Sequence, residues 1–280
     1  MPKLPRRMPE DHKGTFGTAL LVGGSWGMTG AIGLAGMAAL RGGAGLARLA
    51  VPKPCVPIVA AYHPCYTTLP LAADEEGRIA APAFDAIAEQ CESATAVGFG
   101  PGMGRSLELD QLVARLYQEV RRPMVVDADG LNALGAEADS LGNPGSPRVL
   151  TPHPGEFARL TGRRLPPEDR HAAAVELARR CGVVIVLKGH HTLVTDGHRV
   201  AVNATGNPGM ATGGAGDVLT GVITALLCQG LEPFEAAQLG VYLHGLAGDL
   251  AAAELGEAGM IASDLLDFLP RAMRQHEQAG

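Results

Sequence analysis

The stretch Asn207-Pro208-Gly209-Met210-Ala211-Thr212-Gly213-Gly214-Ala215-Gly216-Asp217-Val218-Leu219 decides how the rest of the chain is read. From Thr212 to Asp217 it offers only Thr, Gly and Ala before one acid, too few side chains for a core segment. Glycines let backbone amides turn inward and approach a ligand closely. The apolar run behind them predicts a helix from about Ala215 to Gln229. Amides in the first turn of a helix lack intrahelical acceptors, and with the positive end of the helix dipole they seat a phosphate or a developing oxyanion. Asp217 then has two readings. It caps the helix, or it takes a proton from a substrate hydroxyl as a phosphoryl group is transferred to that oxygen.

Working outward, Thr18 to Val22, Leu46 to Val51, Ala94 to Phe99, Met124 to Val126, Val149-Leu150 and Val183 to Leu187 read as short apolar strands. Helical patterns lie between several of them, at Thr29 to Arg41, from near Ser106, and at Asp169 to Cys181. That alternation predicts an α/β fold in three αβα layers around a mostly parallel sheet. The pair Asp196-Gly197, flanked by Thr192 to Thr195 and His198 to Val202, adds a hairpin towards the C-terminal side of the sheet. Further helices are expected at Pro233 to Leu255 and near Ser263 to Met273, with His244 and Asp249 read as packing or surface residues of the first. Residues 1–13 read as a polar extension and 14–280 as a single domain. The small residues of Thr29 to Arg41 permit close approach to a sheet or to a second subunit.

Several strands end in polar or glycine-rich turns, where ligands gather in open α/β sheets. Gly98-Phe99-Gly100-Pro101-Gly102-Met103-Gly104 is one such turn. Asp127-Ala128-Asp129-Gly130-Leu131-Asn132 could bind a hydroxyl, a metal or a metal-bound water, or equally cap a short helix. In Thr151-Pro152-His153-Pro154-Gly155-Glu156, two prolines fix the backbone around His153, for ligand contact or for structure. Lys188, at the end of its strand, is placed to meet a nucleotide phosphate, and the neighbouring His190 and His191 cannot share one strand face as a metal pair.

Composition narrows the function. The chain has 280 residues, 46% hydrophobic, with only 4% aromatics but 38 glycines, so its core must be built from small aliphatic residues. A net charge of -6 argues against nucleic-acid binding. Five cysteines with no CxxC pair suggest neither zinc nor disulfides and point to a reducing cytoplasm. No apolar signal segment follows Met1, and the most apolar helical segment is too short for a bilayer, so no membrane partner is expected.

Taken in order, Gly30-Ala31, the Gly98 to Gly102 turn, Asp127 to Asn132, Thr151 to Glu156, Leu187-Lys188-Gly189 and Asn207 to Asp217 resemble the NAD(P)H-hydrate dehydratase family, with its ribokinase-like fold. The resemblance implies repair of hydrated NADH or NADPH, in the S epimer, by phosphorylation of the ring hydroxyl from ADP or ATP with Mg2+ and elimination of phosphate. It implies Asp217 as the base and Gly213, Gly214, Ala215 and Gly216 as the anion hole. Ala31, Gly102, His153 and Asn132 would line the hydrated-cofactor pocket, with Asp129 shaping it or organising magnesium. Lys188, Gly189, His190, His191, Thr192 and Gly216 would hold the nucleotide. It further implies a homo-oligomer, a tetramer in relatives, and an epimerase on a separate chain acting on the same metabolite. Where the family often carries Pro-Glu, this chain has His63-Pro64-Cys65-Tyr66. The competing readings are a vitamin-precursor kinase of the same fold, of the hydroxyethylthiazole or hydroxymethylpyrimidine type, and a non-catalytic nucleotide sensor.

Overall fold

Short β-branched and aliphatic runs form the strands: β1 (Thr18–Val22), β2 (Leu46–Pro52), β3 (Thr67–Leu71), β4 (Ala96–Phe99), β5 (Met124–Val126), β6 (Arg148–Leu150), β7 (Val184–Leu187), β8 (Leu193–Thr195) and β9 (Val200–Val202). They make one nine-stranded sheet in the order β3-β2-β1-β4-β5-β6-β7-β8-β9. Pairing is parallel from β3 through β7 and antiparallel from β7 to β9. Residues 1–136 and 140–279 are described in this computed structural model.

Ten helices cover the sheet among the described residues: α1 (Thr29–Arg41), α2 (Val56–Tyr62), α3 (Phe84–Ser93), α4 (Leu107–Glu119), α5 (Ala128–Ala136), α6 (Pro154–Thr161), α7 (Pro167–Cys181), α8 (Ala215–Cys228), α9 (Pro233–Leu255) and α10 (Ala262–Ala279). One core packs α1, α8, α9 and α10 against a sheet face through Ala35, Val222, Leu243 and Leu269. On the opposite face Phe84, Leu116, Phe157 and Leu177 join α3, α4, α6 and α7 to the sheet. The expected three-layer αβα architecture is therefore present. Three helices follow the hairpin in the chain, so it closes one edge of the sheet rather than ending the fold.

The small residues of α1 are used inside the chain. Ile32, Gly33, Ala35, Gly36, Ala38 and Ala39 are buried. A Cβ added at Gly36 would stand 2.8 Å from the Leu49 side chain, and one at Gly221 would collide with the Ala35 carbonyl of the same interface. Close approach of α1 to β2 and α8 thus accounts for that pattern. The N-terminal extension is tied down, His276 Nε2 lying 2.9 Å from the Pro2 carbonyl and Arg7 donating to the Gly43 carbonyl at 2.8 Å.

β1 lies between β2 and β4, so the direction in which strands are added reverses there. Such a switch point opens a crevice at the carboxyl ends of the strands. His63 to Tyr66, where the departure from Pro-Glu falls, lie between α2 and β3, next to Tyr62, whose hydroxyl is 2.6 Å from Thr29 Oγ1 at the start of α1. Among the described residues no helix is long and apolar enough to cross a membrane.

Candidate active site

At the crevice the loop after β4 is fastened to the loop after β1. Gly24 donates its amide to the Pro101 carbonyl at 2.7 Å, and the buried Ser25 hydroxyl donates to the Gly102 carbonyl at 2.8 Å. Gly102 has φ +61, and a Cβ there would come within 2.6 Å of the Met28 carbonyl oxygen and 2.9 Å of the Ala31 Cβ. A side chain would be strained and obstructed at once. The two positions assigned by resemblance to the hydrated-cofactor pocket, Ala31 and Gly102, therefore touch.

The chain leaves β5 through Asp127, which is 1% exposed. Its Oδ1 accepts from Lys188 Nζ at 2.7 Å, and its Oδ2 from the Thr220 hydroxyl at 3.0 Å. Ala128 follows with φ 49, a left-handed conformation costly for a residue with a Cβ. That turn starts α5 and brings Asp129 Oδ2 within 2.9 Å of the Gly104 amide, which donates to it. Asn132 donates to Asp129 Oδ1 at 3.4 Å and accepts from Arg159 Nε at 2.7 Å. Asp127 and Asp129 thus stand at the start of α5 with their carboxylates bonded to Lys188, Thr220 and Gly104 rather than to the amides of that helix.

After β6, His153 caps α6. Its Nδ1 accepts from the amides of Gly155 at 2.9 Å and Glu156 at 3.3 Å, while the Glu156 carboxylate accepts from the His153 amide at 2.8 Å. This reciprocal box accounts for the spacing of Pro152-His153-Pro154-Gly155-Glu156 and leaves the ring half-exposed, its Nε2 3.4 Å from Glu156 Oε1. Burial and the nearby Lys188 lower the His153 pKa. Glu156 is pushed up by burial against the opposing pull of Lys188, whose Nζ is 3.8 Å away.

The glycine stretch reaches this cluster from the other helical layer. Gly214 precedes α8 with φ 96, and the helix begins at Ala215, the residue expected from sequence. A Cβ built on Gly216 would stand 3.3 Å from both Asp127 Oδ2 and Lys188 Nζ. Asp217 occupies the first turn. Burial, then the charge of Asp127, drive its pKa up to about 7, with Lys188 opposing and Asp129 and Glu156 adding to the rise. Lys188 shows the reverse balance: burial would lower its pKa, but Asp127 and Glu156 hold it raised. Gly189, His190, His191 and Thr192 form the turn beyond Lys188, where the Gly189 amide donates to Thr192 Oγ1 at 3.3 Å and the two imidazoles sit 3.8 Å apart.

Asp217, Gly216, Lys188 and Asp129 thus share one electrostatic neighbourhood, with Gly213 and Gly214 at its α8 end. Asp127 also belongs to it, one of the two acids the sequence offered as a ligand or a cap, as do Glu156 and Thr220, to which sequence reading gave no role of their own. Thr220 follows Gly216 by one helical turn, which is the signal that could have found it. His244 and Asp249 were expected to be packing or surface residues. In the structure they hold the glycine stretch from behind, His244 Nε2 lying 2.9 Å from the Ala215 carbonyl and Asp249 accepting from the Gly206 amide at 2.9 Å.

Comparison with known proteins finds relatives of the chain as a whole. Residues 19–271 match the family described as NAD(P)H-hydrate dehydratase. The bifunctional NAD(P)H-hydrate repair enzyme Nnr of Moorella thermoacetica is 47% identical over 280 residues, covering 99% of this chain and 53% of that protein. The chain accordingly spans about half the length of the curated relatives it matches. The ADP/ATP-dependent NAD(P)H-hydrate dehydratase from Bacillus subtilis, co-crystallized with ATP/Mg2+, superposes with a TM-score of 0.85 at 34% identity, covering 98% of this chain and 95% of that one. A ribokinase-like superfamily protein from Enterococcus faecalis gives a TM-score of 0.82 at 27% identity, over 98% of this chain and 92% of the other.

Proposed function

The chain belongs to the NAD(P)H-hydrate dehydratase family, and we propose that it dehydrates the S epimer of hydrated NADH or NADPH with ADP or ATP as phosphoryl donor. The observation that carries the reading is Asp217, a half-buried carboxyl in the first turn of α8, set among Asp127, Lys188, Asp129 and Glu156, with its pKa raised to about 7. Such a group is ionised in substantial fraction near neutrality yet basic enough to take a hydroxyl proton.

In this reading the Asp217 carboxylate removes the proton of the ring hydroxyl. The freed oxygen attacks the terminal phosphorus, the bridging P–O bond breaks, and AMP or ADP leaves. The ring nitrogen's lone pair then expels inorganic phosphate, and loss of a proton from the neighbouring ring carbon restores the double bond. Backbone amides from Gly213 to Gly216 receive the charge of the transferring group, being fixed before that charge develops. Ala31, Gly102 and His153 flank the ring. Asn132 holds Asp129 in place. Lys188 and the turn through Gly189, His190, His191 and Thr192 take the nucleotide phosphates, beside Gly216.

Magnesium fits the residues present. Asp127, Asp129, Glu156 and Asp217 share a neighbourhood with Lys188 as its partly buried cation. Among the described residues no three acidic, histidine or cysteine side chains converge as a metal cage. That pattern suits an ion carried mainly by nucleotide phosphates and water. Asp129 and Glu156 would face it, and when bound it would neutralise the phosphate oxygens.

A homo-oligomer, tetrameric as the resemblance implies, and an epimerase that interconverts the two hydrate epimers complete the proposal, and a monomer mass in light scattering refutes the first. The activity is tested by incubating the protein, Mg2+ and either ADP or ATP with acid-hydrated NADH and following the reduced-nicotinamide absorbance. Recovery of that band with release of inorganic phosphate is expected. A stable phosphomonoester without recovery indicates a kinase instead.

A further inference from the structure

The glycine stretch that delivers Asp217 and its amides rests on one face of α9. His244, Gly245, Gly248 and Asp249 fall at i, i+1, i+4 and i+5, which places them together on a helix. Each meets the stretch or the residues leading into it. Gly245 lies against Thr205 so closely that a Cβ would strike its hydroxyl. Gly248 faces the Met210 side chain in the same way. Asp249 Oδ1 accepts from Asn207 Nδ2 at 3.1 Å, and Asn207 Oδ1 in turn accepts from the Gly209 amide at 3.0 Å. His244 Nε2 lies 2.9 Å from the Ala215 carbonyl.

The last contact bears on chemistry. A backbone carbonyl only accepts, so Nε2 carries the proton and donates. Burial lowers the His244 pKa to about 4, so the ring is neutral near pH 7 and has a single N–H, which this contact fixes. The Ala215 carbonyl and the Gly216 amide belong to one planar trans peptide, in which C=O and N–H point in opposite directions. Fixing the oxygen therefore fixes the direction of the Gly216 N–H, and Gly216 lies against Lys188 and Asp127.

We propose that His244 is a positioning residue for phosphoryl transfer, donating to the Ala215 carbonyl and thereby aiming the Gly216 amide at the transferring phosphate. The inference rests on reading the site as a phosphoryl-transfer centre. It makes His244 act through a peptide plane, without contact with substrate or nucleotide. Because the amide is used most as charge builds on the phosphate, loss of its aim lowers kcat and leaves KM nearly unchanged.

The discriminating variants are His244→Gln and His244→Met, flexible side chains of similar size of which only the first keeps an N–H donor. With NADH hydrate, Mg2+ and ADP or ATP, His244→Gln is expected to exceed His244→Met about tenfold in kcat, the worth of one ordinary hydrogen bond, with KM values within about twofold. Equal kcat in the two variants, high or low, overturns the proposal, as does a loss confined to KM. A second measurement does not depend on turnover. The Gly216 amide resonance of 15N-labelled protein should shift on titration with Mg2+ and ADP in His244→Gln, and at least threefold less at saturation in His244→Met; equal shifts overturn the role of His244. Absence of turnover in the unsubstituted protein counts against the dehydratase reading alone, since the amide measurement still decides whether His244 aims the donor.

Discussion

Replacing Asp217 by Asn should stabilise the protein while abolishing its turnover, and the stabilisation should depend on pH. The Asp217 carboxyl moves from an ordinary value of 3.8 to about 7 on folding. Above pH 7 it is ionised in both states, and the folded state carries the unfavourable charge. Between pH 3.8 and 7 the folded protein binds more protons than the unfolded chain, so stability falls as pH rises through this window. At about 1.4 kcal/mol per pH unit, the full displacement corresponds to an upper bound of about 4 kcal/mol above pH 7 and roughly 1.6 kcal/mol at pH 5. Asn keeps the shape without the charge. Its advantage over Asp in thermal unfolding is therefore expected to be about 8 °C at pH 8 and about 3 °C at pH 5, at roughly 2 °C per kcal/mol for a chain of this size. Circular dichroism melts at the two pH values measure both. An advantage equal at pH 5 and pH 8, or a less stable variant at pH 8, refutes the assignment of a raised pKa to this carboxyl.

Since the base must be ionised to act, kcat/KM should rise with pH through the Asp217 midpoint of about 7, falling to about one tenth of its plateau one unit below it; a profile flat from pH 5.5 to 8 removes Asp217 as the base. Lys188→Met deprives the buried Asp127 of its 2.7 Å partner and should lower stability by about 3 kcal/mol in urea unfolding, the Thr220 hydroxyl remaining. The same change removes the positive charge that restrains Asp217, so its midpoint should move up in carboxyl-labelled NMR titration; an unchanged or lower midpoint contradicts the electrostatic account. Gly102→Ala places a Cβ against Met28 and Ala31 at φ +61 and should cost about 1–3 kcal/mol of stability and raise KM for the hydrate more than KM for the nucleotide. A KM change confined to the nucleotide would separate Gly102 from the hydrate pocket.

Much of this was legible because the relevant signals are local. The strand Thr18–Val22 and the helices Thr29–Arg41 and Pro233–Leu255 have the bounds their sequence patterns predict, since apolar runs and small residues set those elements without distant help. The parallel sheet followed from alternation of strand and helix. Segments whose identity depends on tertiary partners were not legible. Val56–Tyr62, Thr67–Leu71 and Phe84–Ser93 carry weak or interrupted patterns, and β3 includes Pro70, tolerated because among the described residues β3 is an edge strand paired with β2. The helix Pro154–Thr161 was hidden behind prolines read only as fixing the backbone around His153, although Pro favours the first turn of a helix. In the site, motif positions named Asp217, Lys188, Gly102 and His153. Their connections were invisible because Asp127, Thr220 and His244 act across 61, 93 and 29 residues of chain. Only the fold brings such pairs together.

The same connections explain why the site is assembled from two layers. Asp127, Asp129 and Glu156 follow parallel strands or begin the helices after them, so their separations are fixed by strand spacing and by hydrogen bonds to Lys188, Gly104 and His153. Carboxylates held this way cannot move apart to relieve repulsion, and part of that repulsion appears as the raised pKa of Asp217. Asp217 itself arrives on α8, which is held by α1 and α9 as well as by the Thr220 bond to Asp127 at the end of β5. A base carried on the same loop as the acids could swing away and ionise at an ordinary pH. Mounted on a helix gripped on its far side, it is kept in their field. The unfavourable charge expected to make the folded protein less stable above pH 7 is thus the same property that would suit Asp217 to the proposed role of base near neutrality.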